Sequence, residues 1–393
     1  MLFSTSVVAR LPLATFSIGL LVHVEQLTGS YAAAGAVAGA LAVAQGAGGP
    51  VLGRLVDRRG QTVVLLSSAL VAGTALAAVA RVPAGTPLPV LLALATVIGF
   101  ATPPIGACLR TLIPALRPGE DQQRRAYAVD AAATELTWVS GPPLALALGA
   151  LAGTGVALTA AGAVLIAATT VFALSPVSRA WRPAGTRRTG GSALASPAMR
   201  TLVTVMAGVG VLFGATEVAV AASSGPAAGV LLGLWGVGSL AGGVVAARLG
   251  GGATGGRSFA VLLAALGVSH LALVAAPSGV VPAAVLITVA GSLIAPILAS
   301  AYAMVDRAAP AGTVTEAFAW LATATAVGTA AGAAAGGALA DLAGARSGFV
   351  LAGGAAVGAA VVALLHIPVT APRREGPPPA VRVAAGGGPD VRE

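Results

Sequence analysis

The chain has 393 residues, of which 57% are hydrophobic and 9% are charged, and its mean hydropathy is +0.92. A soluble domain has about 25% charged residues, so this composition excludes a soluble globular protein and, outside the termini, a disordered one. The sequence contains no basic soluble surface that would bind nucleic acid. The net charge of +9 therefore indicates the positive-inside bias of a membrane protein. The one cysteine, Cys108, excludes an intramolecular disulfide and a thiolate metal cluster.

Apolar runs long enough to cross the hydrocarbon core as helices recur along the chain, separated by charges, prolines and glycine clusters. The predicted fold class is therefore an all-α membrane protein with twelve transmembrane helices. They are expected near residues 5–27, 31–53, 62–81, 87–110, 126–150, 155–177, 200–222, 226–248, 258–276, 280–304, 314–339 and 346–367.

The basic residues sort to one side of these spans. If the N-terminus is cytoplasmic, 20 of the 22 arginines lie in inner loops, inner helix ends or the tail, and only Arg81 and Arg346 lie outside. This bias predicts a multi-pass protein of the inner (plasma) membrane with cytoplasmic N- and C-termini.

An internal repeat divides the chain into two six-helix halves related by a pseudo-two-fold axis. A shift of 190 residues places Arg10 on Arg200 and Arg58 on Arg248, and parallel six-helix repeats are a known transporter plan. The predicted segments are an N-terminal half (1–178), a cytoplasmic central loop (179–199), a C-terminal half (200–367) and a disordered cytoplasmic tail (368–393).

The connection after the second predicted span reads GRLVDRRG from Gly53 to Gly60. This G-x-L-x-D-R-x-G pattern, in this loop of a twelve-span chain, resembles the signature of the major facilitator superfamily. The basic residues that usually continue the signature are missing, and the second half has Ala247 in place of the aspartate. The resemblance covers residues 1–367 and implies a secondary transporter that works by alternating access.

The residues of this motif suit a gate. Gly53 permits close approach of two helices, Asp57 suits the N-terminal end of a neighbouring helix, and Arg58 suits the anionic inner leaflet. The resemblance implies that Gly53, Asp57, Arg58 and Gly60 form a cytoplasmic gate that stabilises an outward-open state. The alternative is a loop whose arginines only set the topology.

Prolines mark three further positions. Gly141-Pro142 in the fifth span resembles the Gly-Pro motif that the family associates with antiporters. This resemblance implies a protein similar to the antiporters of GC-rich bacteria that exchange a drug or metabolite for protons. An ordinary proline kink is the alternative. Pro103-Pro104 and Pro296 interrupt the fourth and tenth spans at matching positions, which points to a central site.

Ionisable residues inside predicted spans are candidates for coupling because burying a charge in the membrane is costly. Glu135, in the middle of the fifth span, is the first candidate for a proton carrier, and Glu217 and Glu25 are further ones. A structural hydrogen bond is the alternative for Glu135, and solvation is the preferred interpretation of Glu25.

On the cytoplasmic side, Asp130 is predicted to form a gating charge cluster with Arg110 and Asp57. Arg10 either pairs with a carboxylate or snorkels to the inner interface, and snorkelling is the preferred interpretation. Glu316 is interpreted as an acid favoured by its place at the start of the eleventh span.

The predicted function is proton-coupled export of a small amphipathic or apolar compound by a monomer embedded in the lipid bilayer. Protonation of Glu135, with Glu217 as a second candidate, would alternate with substrate occupancy. No catalytic residue, metal, cofactor or nucleic-acid partner is expected. The alternatives are proton-symport uptake of a sugar or organic acid, a membrane enzyme acting on lipid-linked substrates, and a transport-inactive sensor or partner protein.

Overall fold

The computed structural model describes residues 2–117, 119–182, 192–224, 227–249, 252–253, 255–276 and 279–367. Throughout these ranges the regular secondary structure is helical, without a β-strand. The N-terminal half contains α1 (Leu2–Thr28), α2 (Tyr31–Arg59), α3 (Gln61–Val79), α4 (Leu88–Phe100), α5 (Ile105–Leu116), α6 (Glu120–Ala152), α7 (Thr154–Ala173) and the short α8 (Pro176–Ala180). The C-terminal half contains α9 (Pro197–Ser224), α10 (Ala228–Arg248), α11 (Gly256–Ala272), α12 (Val280–Gly291), α13 (Ile294–Ala308), α14 (Val314–Ala343) and α15 (Ser347–His366).

Eleven described segments are long and apolar enough to cross a membrane, counting α4 with α5 and α12 with α13 as one segment each. The twelfth spanning helix is α6, whose 33 residues extend about 50 Å at 1.5 Å per residue. Its charged residues are concentrated in its first turns. The fold is therefore an all-α membrane protein with twelve spanning helices in two six-helix halves, as the apolar runs predict.

Two spans are broken, one in each half. The fourth span breaks between α4 and α5 at residues 101–104, where Pro103 and Pro104 lie. The tenth breaks at residues 292–293, so Pro296 lies in the first turn of α13 rather than in the break itself. A proline is tolerated there because the first helical turn lacks intrahelical acceptors for its N–H groups. By contrast, α6 continues without interruption past Gly141.

Small residues let the helices approach closely within each half. A Cβ added at Gly73 on α3 would lie 2.9 Å from the carbonyl oxygen of Gly162 on α7, and one added at Gly162 would lie 2.7 Å from that of Gly73. Association of helices in lipid depends on this kind of close contact because apolar side chains gain nothing by leaving lipid for one another.

The two halves meet along a few helix pairs: α2 packs on α14, and α6 packs on α10 and α13. One end of the bundle, called here the arginine-rich end, contains the α2–α3 junction with Arg58 and Arg59, the start of α6 and the start of α14. The other end, called the opposite end, contains the α1–α2 junction and the start of α15.

Candidate functional site

Asp57, near the end of α2, lies at the N-terminus of α14 in the other half. Its carboxylate accepts hydrogen bonds from the backbone N–H groups of Thr315, at 3.1 Å, and of Glu316, at 2.8 Å. The first N–H groups of a helix have no intrahelical acceptor, and the helix dipole favours an anion beside them. A buried carboxylate from α2 thus caps α14, and the two helices belong to different halves of the molecule.

Glycines of the same motif make this contact possible. A Cβ at Gly53, one turn before Asp57, would lie 2.9 Å from the carbonyl oxygen of Thr315, so a larger residue would push α14 away. Gly60 has a φ of +89°, a value that favours glycine, and it separates α2 from α3. Arg58 is exposed at the arginine-rich end.

Glu316 carries a second set of contacts, to Arg54 in the other half and to the segment that precedes α9. Its carboxylate accepts hydrogen bonds from Arg54 Nε at 3.2 Å and Nη2 at 2.9 Å, from Ser192 Oγ at 2.5 Å, and from the backbone N–H of Ala193 at 3.2 Å. Glu316 is buried, whereas the Arg54 side chain is 42% exposed. The sequence indicated only a helix-start acid here, because Arg54 and Ser192 are far from Glu316 in the chain.

A buried ionic triad lies beside these contacts. Asp130 on α6 binds Arg10 on α1 through Oδ1 at 2.7 Å and Arg110 on α5 through Oδ2 at 2.7 Å. Arg10 also donates to Thr134 at 2.8 Å. The predicted pairing of Asp130 with Arg110 is present, but Arg10 takes the third place, which was predicted for Asp57.

Two of these outcomes correct the sequence-based interpretation. Arg10 does not snorkel: it is 7% exposed and pairs with a carboxylate, since an acid on α6 lies within reach of its guanidinium. Asp57 does not join Asp130, because its carboxylate is already taken by the two N–H groups of α14.

Arg110 and Tyr127 extend the triad to the C-terminal half. The guanidinium of Arg110 lies 3.8 Å from the ring centroid of Tyr302 on α13, a cation–π arrangement. The hydroxyl of Tyr127 on α6 donates a hydrogen bond to the carboxylate of Asp306, also on α13. These contacts complete a set, called here the polar gate, formed by Arg10, Arg54, Asp57, Arg110, Tyr127, Asp130, Tyr302, Asp306 and Glu316.

The polar gate occupies one end of the bundle. Among the described residues, the side-chain hydrogen bonds between the halves extend from the arginine-rich end to the bond from Thr323 Oγ1 to the Gly46 carbonyl, 3.0 Å long, near the middle of α2. At the opposite end, described side chains bond within one half: Thr154 with Gln26, and Arg346 with the carbonyl of Val274.

A few neutral polar groups lie near the middle of the bundle. Gln45 on α2 donates a 3.4 Å hydrogen bond to Thr102, at the break between α4 and α5. Thr323 on α14 and both members of this pair are half-buried. Of the break and cavity candidates, Pro103 is buried, while Pro104 and Pro296 are half-buried.

The remaining candidates are distributed differently. Glu217 on α9 is exposed and Glu25 on α1 is half-buried. The side chains of Glu135 and Pro142 lie outside the described part of the structure. Gly141 lies at a close crossing of α6 and α1, because a Cβ there would come within 2.5 Å of the Ala14 Cβ.

The comparisons with known proteins agree with this architecture. A model of the Major Facilitator Superfamily matches residues 2–252, which is more than half of the chain. The search of curated protein sequences gave no significant match.

Among solved structures, the chain is similar to the human organic anion transporter MFSD10 (TETRAN), with 19% identity, coverage of 92% of this chain and 97% of that one, and a TM-score of 0.69. It is also similar to a bacterial homologue of the iron transporter ferroportin in an outward-facing state, with 17% identity, coverage of 93% of this chain and 98% of that one, and a TM-score of 0.70. A third similar structure is that of the proton:xylose symporter XylE, with 14% identity, coverage of 92% of this chain and 94% of that one, and a TM-score of 0.69. At these identities the likeness shows the fold, and with the matching family model it establishes that this chain belongs to the Major Facilitator Superfamily of membrane transporters.

Proposed function

We propose that this protein is a secondary active transporter that works by alternating access and couples the efflux of a small amphipathic or apolar compound to protons. In this proposal the arginine-rich end faces the cytoplasm of a cell with the protein in its plasma membrane, and the described arrangement is closed on that side. The observation that carries the proposal is the polar gate, whose contacts between the halves lie at one end of the bundle.

The contacts of the gate are of a kind that can break and re-form. Asp57 binds two N–H groups, and Glu316 binds Arg54 and Ser192, all through hydrogen bonds. A hydrogen bond to a charged group contributes about 1.5–3 kcal/mol. A few such bonds are enough to favour the closed arrangement while leaving the open one within reach of substrate and proton binding.

The carboxylates outside the gate are the candidates for proton coupling. The gate acids each have a cationic, amide or hydroxyl partner, so they serve to hold the closed arrangement. Glu217, exposed on α9, has no hydrogen bond or ion pair within the described structure. Glu135 lies halfway along α6, between the gate and Gly141. Protonation of Glu135, with Glu217 as the second candidate, would alternate with substrate occupancy.

The middle of the bundle supports a substrate with few charges. The neutral groups described there include Gln45, Thr102 and Thr323, set among apolar residues. Neutral hydrogen-bonding groups in an apolar lining suit a compound with a large apolar surface and one or two polar atoms.

The test is transport into and out of proteoliposomes with an imposed pH gradient, using rhodamine 6G and a panel of uncharged amphipathic metabolites as probes. The wild-type chain should exchange a probe for protons, so that the probe crosses the membrane in the direction opposite to the proton flux. Glu135→Gln should transport without dependence on the pH gradient, whereas Asp121→Asn, which changes an exposed acid in the first turn of the same helix, should behave as wild type.

Movement of a probe in the same direction as protons would contradict proton-coupled efflux and support proton-symport uptake. Full coupling in Glu135→Gln and in Glu217→Gln would exclude both acids as proton carriers. Absence of flux for every probe, with the gate intact, would favour a transport-inactive partner protein.

A further inference from the structure

A cleft of about 350 Å³ lies at the opposite end of the bundle, away from the polar gate. Its lining comes from α9, α10, α12, α15 and the turn after α11, all of them in the C-terminal half. The cleft therefore differs from the space between the halves, where the proposed transport path lies. Its volume is within the range of small-molecule pockets, about 300–1,000 Å³.

The lining of the cleft has a polar part and an apolar part. Arg346, Ser223 and Ser224 bring one guanidinium and two hydroxyl groups to it. Val220, Leu231, Leu273, Ile287 and Phe349 supply the apolar surface. This composition suits a ligand with one anionic group and an apolar chain or ring.

The guanidinium of Arg346 is held in place by the backbone. Its Nη1 donates to the carbonyl of Val274 at 3.1 Å, and its Nη2 donates to that of Ala276 at 3.4 Å. A guanidinium has five N–H donors, so three remain for an anion. The Ser223 and Ser224 hydroxyls contact each other at 3.2 Å, and only one of the two needs to donate in that contact.

A second observation concerns the layer one helical turn deeper. Residues three or four apart share a face of a helix, so Thr216, Trp235 and His270 lie on the faces that carry Val220, Leu231 and Leu273. All three are buried, and Thr216 Oγ1, Trp235 Nε1 and His270 Nε2 have no hydrogen-bond partner among the described residues. The ring centroids of Trp235 and His270 are 6.0 Å apart in an edge-to-face arrangement.

Buried polar atoms are almost always hydrogen-bonded to protein or to water, so a water or a polar ligand atom is expected beside these three atoms, one helical turn from the lining of the cleft. His270 Nδ1 is 2.8 Å from the carbonyl of Leu266, which can only accept, so the neutral ring presents Nε2 as an acceptor. Trp235 Nε1 is a donor. Water or a distal polar atom of a ligand would satisfy both.

We propose that this cleft is a binding site for an amphipathic organic anion, with its anionic group on Arg346 and its apolar part between α10, α12 and α15. The proposal does not depend on the direction or coupling of transport. Two sources supply this chemistry, a free carboxylate with an apolar tail and the headgroup end of an anionic lipid.

The test uses the purified full-length chain in nanodiscs and measures saturation binding of radiolabelled decanoate. The wild type should bind decanoate saturably in phosphatidylcholine nanodiscs, and decanol should not compete. Arg346→Gln should weaken binding by about tenfold or more, as expected for a lost charge-assisted hydrogen bond. Arg81→Gln is the matched control, because Arg81 is the other arginine at this end and also donates to a backbone carbonyl, that of Ala77.

Ala283→Phe fills the cleft without changing Arg346, so it separates loss of the site from loss of the local fold. It should abolish saturable binding while the melting temperature stays near that of the wild type. Weaker decanoate binding in phosphatidylglycerol nanodiscs than in phosphatidylcholine would assign the site to anionic lipid, and equal binding would assign it to the free anion. Equal decanoate binding by wild type, Arg346→Gln and Ala283→Phe would overturn the proposal.

Discussion

Asp57 and Glu316 are joined across the two halves by a hydrogen bond of 2.8 Å from the Glu316 backbone N–H to the Asp57 carboxylate. The side chain of Glu316 turns back to bind Arg54, one turn before Asp57 on the same helix. Each helix therefore presents a carboxylate to the other, and each carboxylate finds donors there. The crossing of α2 and α14 is the centre of the polar gate.

Removing the Asp57 carboxylate should open the arginine-rich end. Asp57→Ala leaves two buried N–H groups of α14 without an acceptor, which costs about 1–3 kcal/mol in the closed arrangement. Asp57→Asn keeps one acceptor oxygen and should have a smaller effect. Labelling rates of a single cysteine introduced at Thr323 should rise from the arginine-rich side in the order wild type, Asp57→Asn, Asp57→Ala. The same rate in all three would show that the cap does not hold the gate.

Breaking the Asp130 triad should lower the stability of the protein. Asp130→Asn leaves Arg10 and Arg110 buried without a counter-ion, a change that typically costs about 3–5 kcal/mol. Asp121→Asn, on the same helix, removes an exposed partner of Arg124 and should cost at most about 1 kcal/mol. Thermal unfolding in detergent measures both. Similar melting temperatures for the two variants would contradict the importance of the triad.

A methyl group at Gly53 should act as a wedge between the halves. Gly53→Ala places a Cβ 2.9 Å from the Thr315 carbonyl, and such overpacking costs about 1–3 kcal/mol. Gly39→Ala, on the same helix, meets nothing within 4 Å, so it should be neutral or slightly stabilising because alanine is the better helix former. Cysteine accessibility at the arginine-rich end should rise in the first variant only. Equal accessibility in both variants would exclude the crossing as a steric contact.

The Arg54–Glu316 pair should show a measurable coupling energy in a double-mutant cycle of Arg54→Gln and Glu316→Gln. Because the Arg54 side chain is 42% exposed, solvent screens the pair, and we expect a coupling energy of about 1 kcal/mol. This energy is obtained from the ratio of open to closed populations in each variant. Arg124 and Asp121 pair within α6, where the Asp121 side chain is 74% exposed, and this pair should show no coupling in the same measurement. Additive effects for Arg54 and Glu316 would remove this pair from the gate.

The sequence allowed the spans, their number and the chemistry of the α2–α3 motif to be predicted, because hydropathy and short-range spacing carry that information. Asp57 was expected at a helix N-terminus, and it lies at one. Which helix that is could not be deduced, since α14 starts more than 250 residues later in the chain.

Long-range partners explain the other differences. Snorkelling of Arg10 was a reasonable local interpretation, but Asp130, 120 residues away, lies close enough to pair with it. Glu316 looked like an ordinary helix-start acid, and nothing near it in the sequence indicates Arg54 or Ser192. Pairings of this kind depend on how the two halves dock, which neither periodicity nor local spacing encodes.

The most direct test of alternating access is to measure distances at both ends of the bundle by double electron–electron resonance in nanodiscs. One spin-label pair would join residues 117 and 311 at the arginine-rich end, and the other would join residues 26 and 222 at the opposite end. Native Cys108 is buried and should stay unlabelled. In Asp57→Ala, the first distance should lengthen and the second should shorten relative to the wild type. Unchanged distances, or lengthening at both ends together, would contradict a two-state gate held by Asp57 and Glu316.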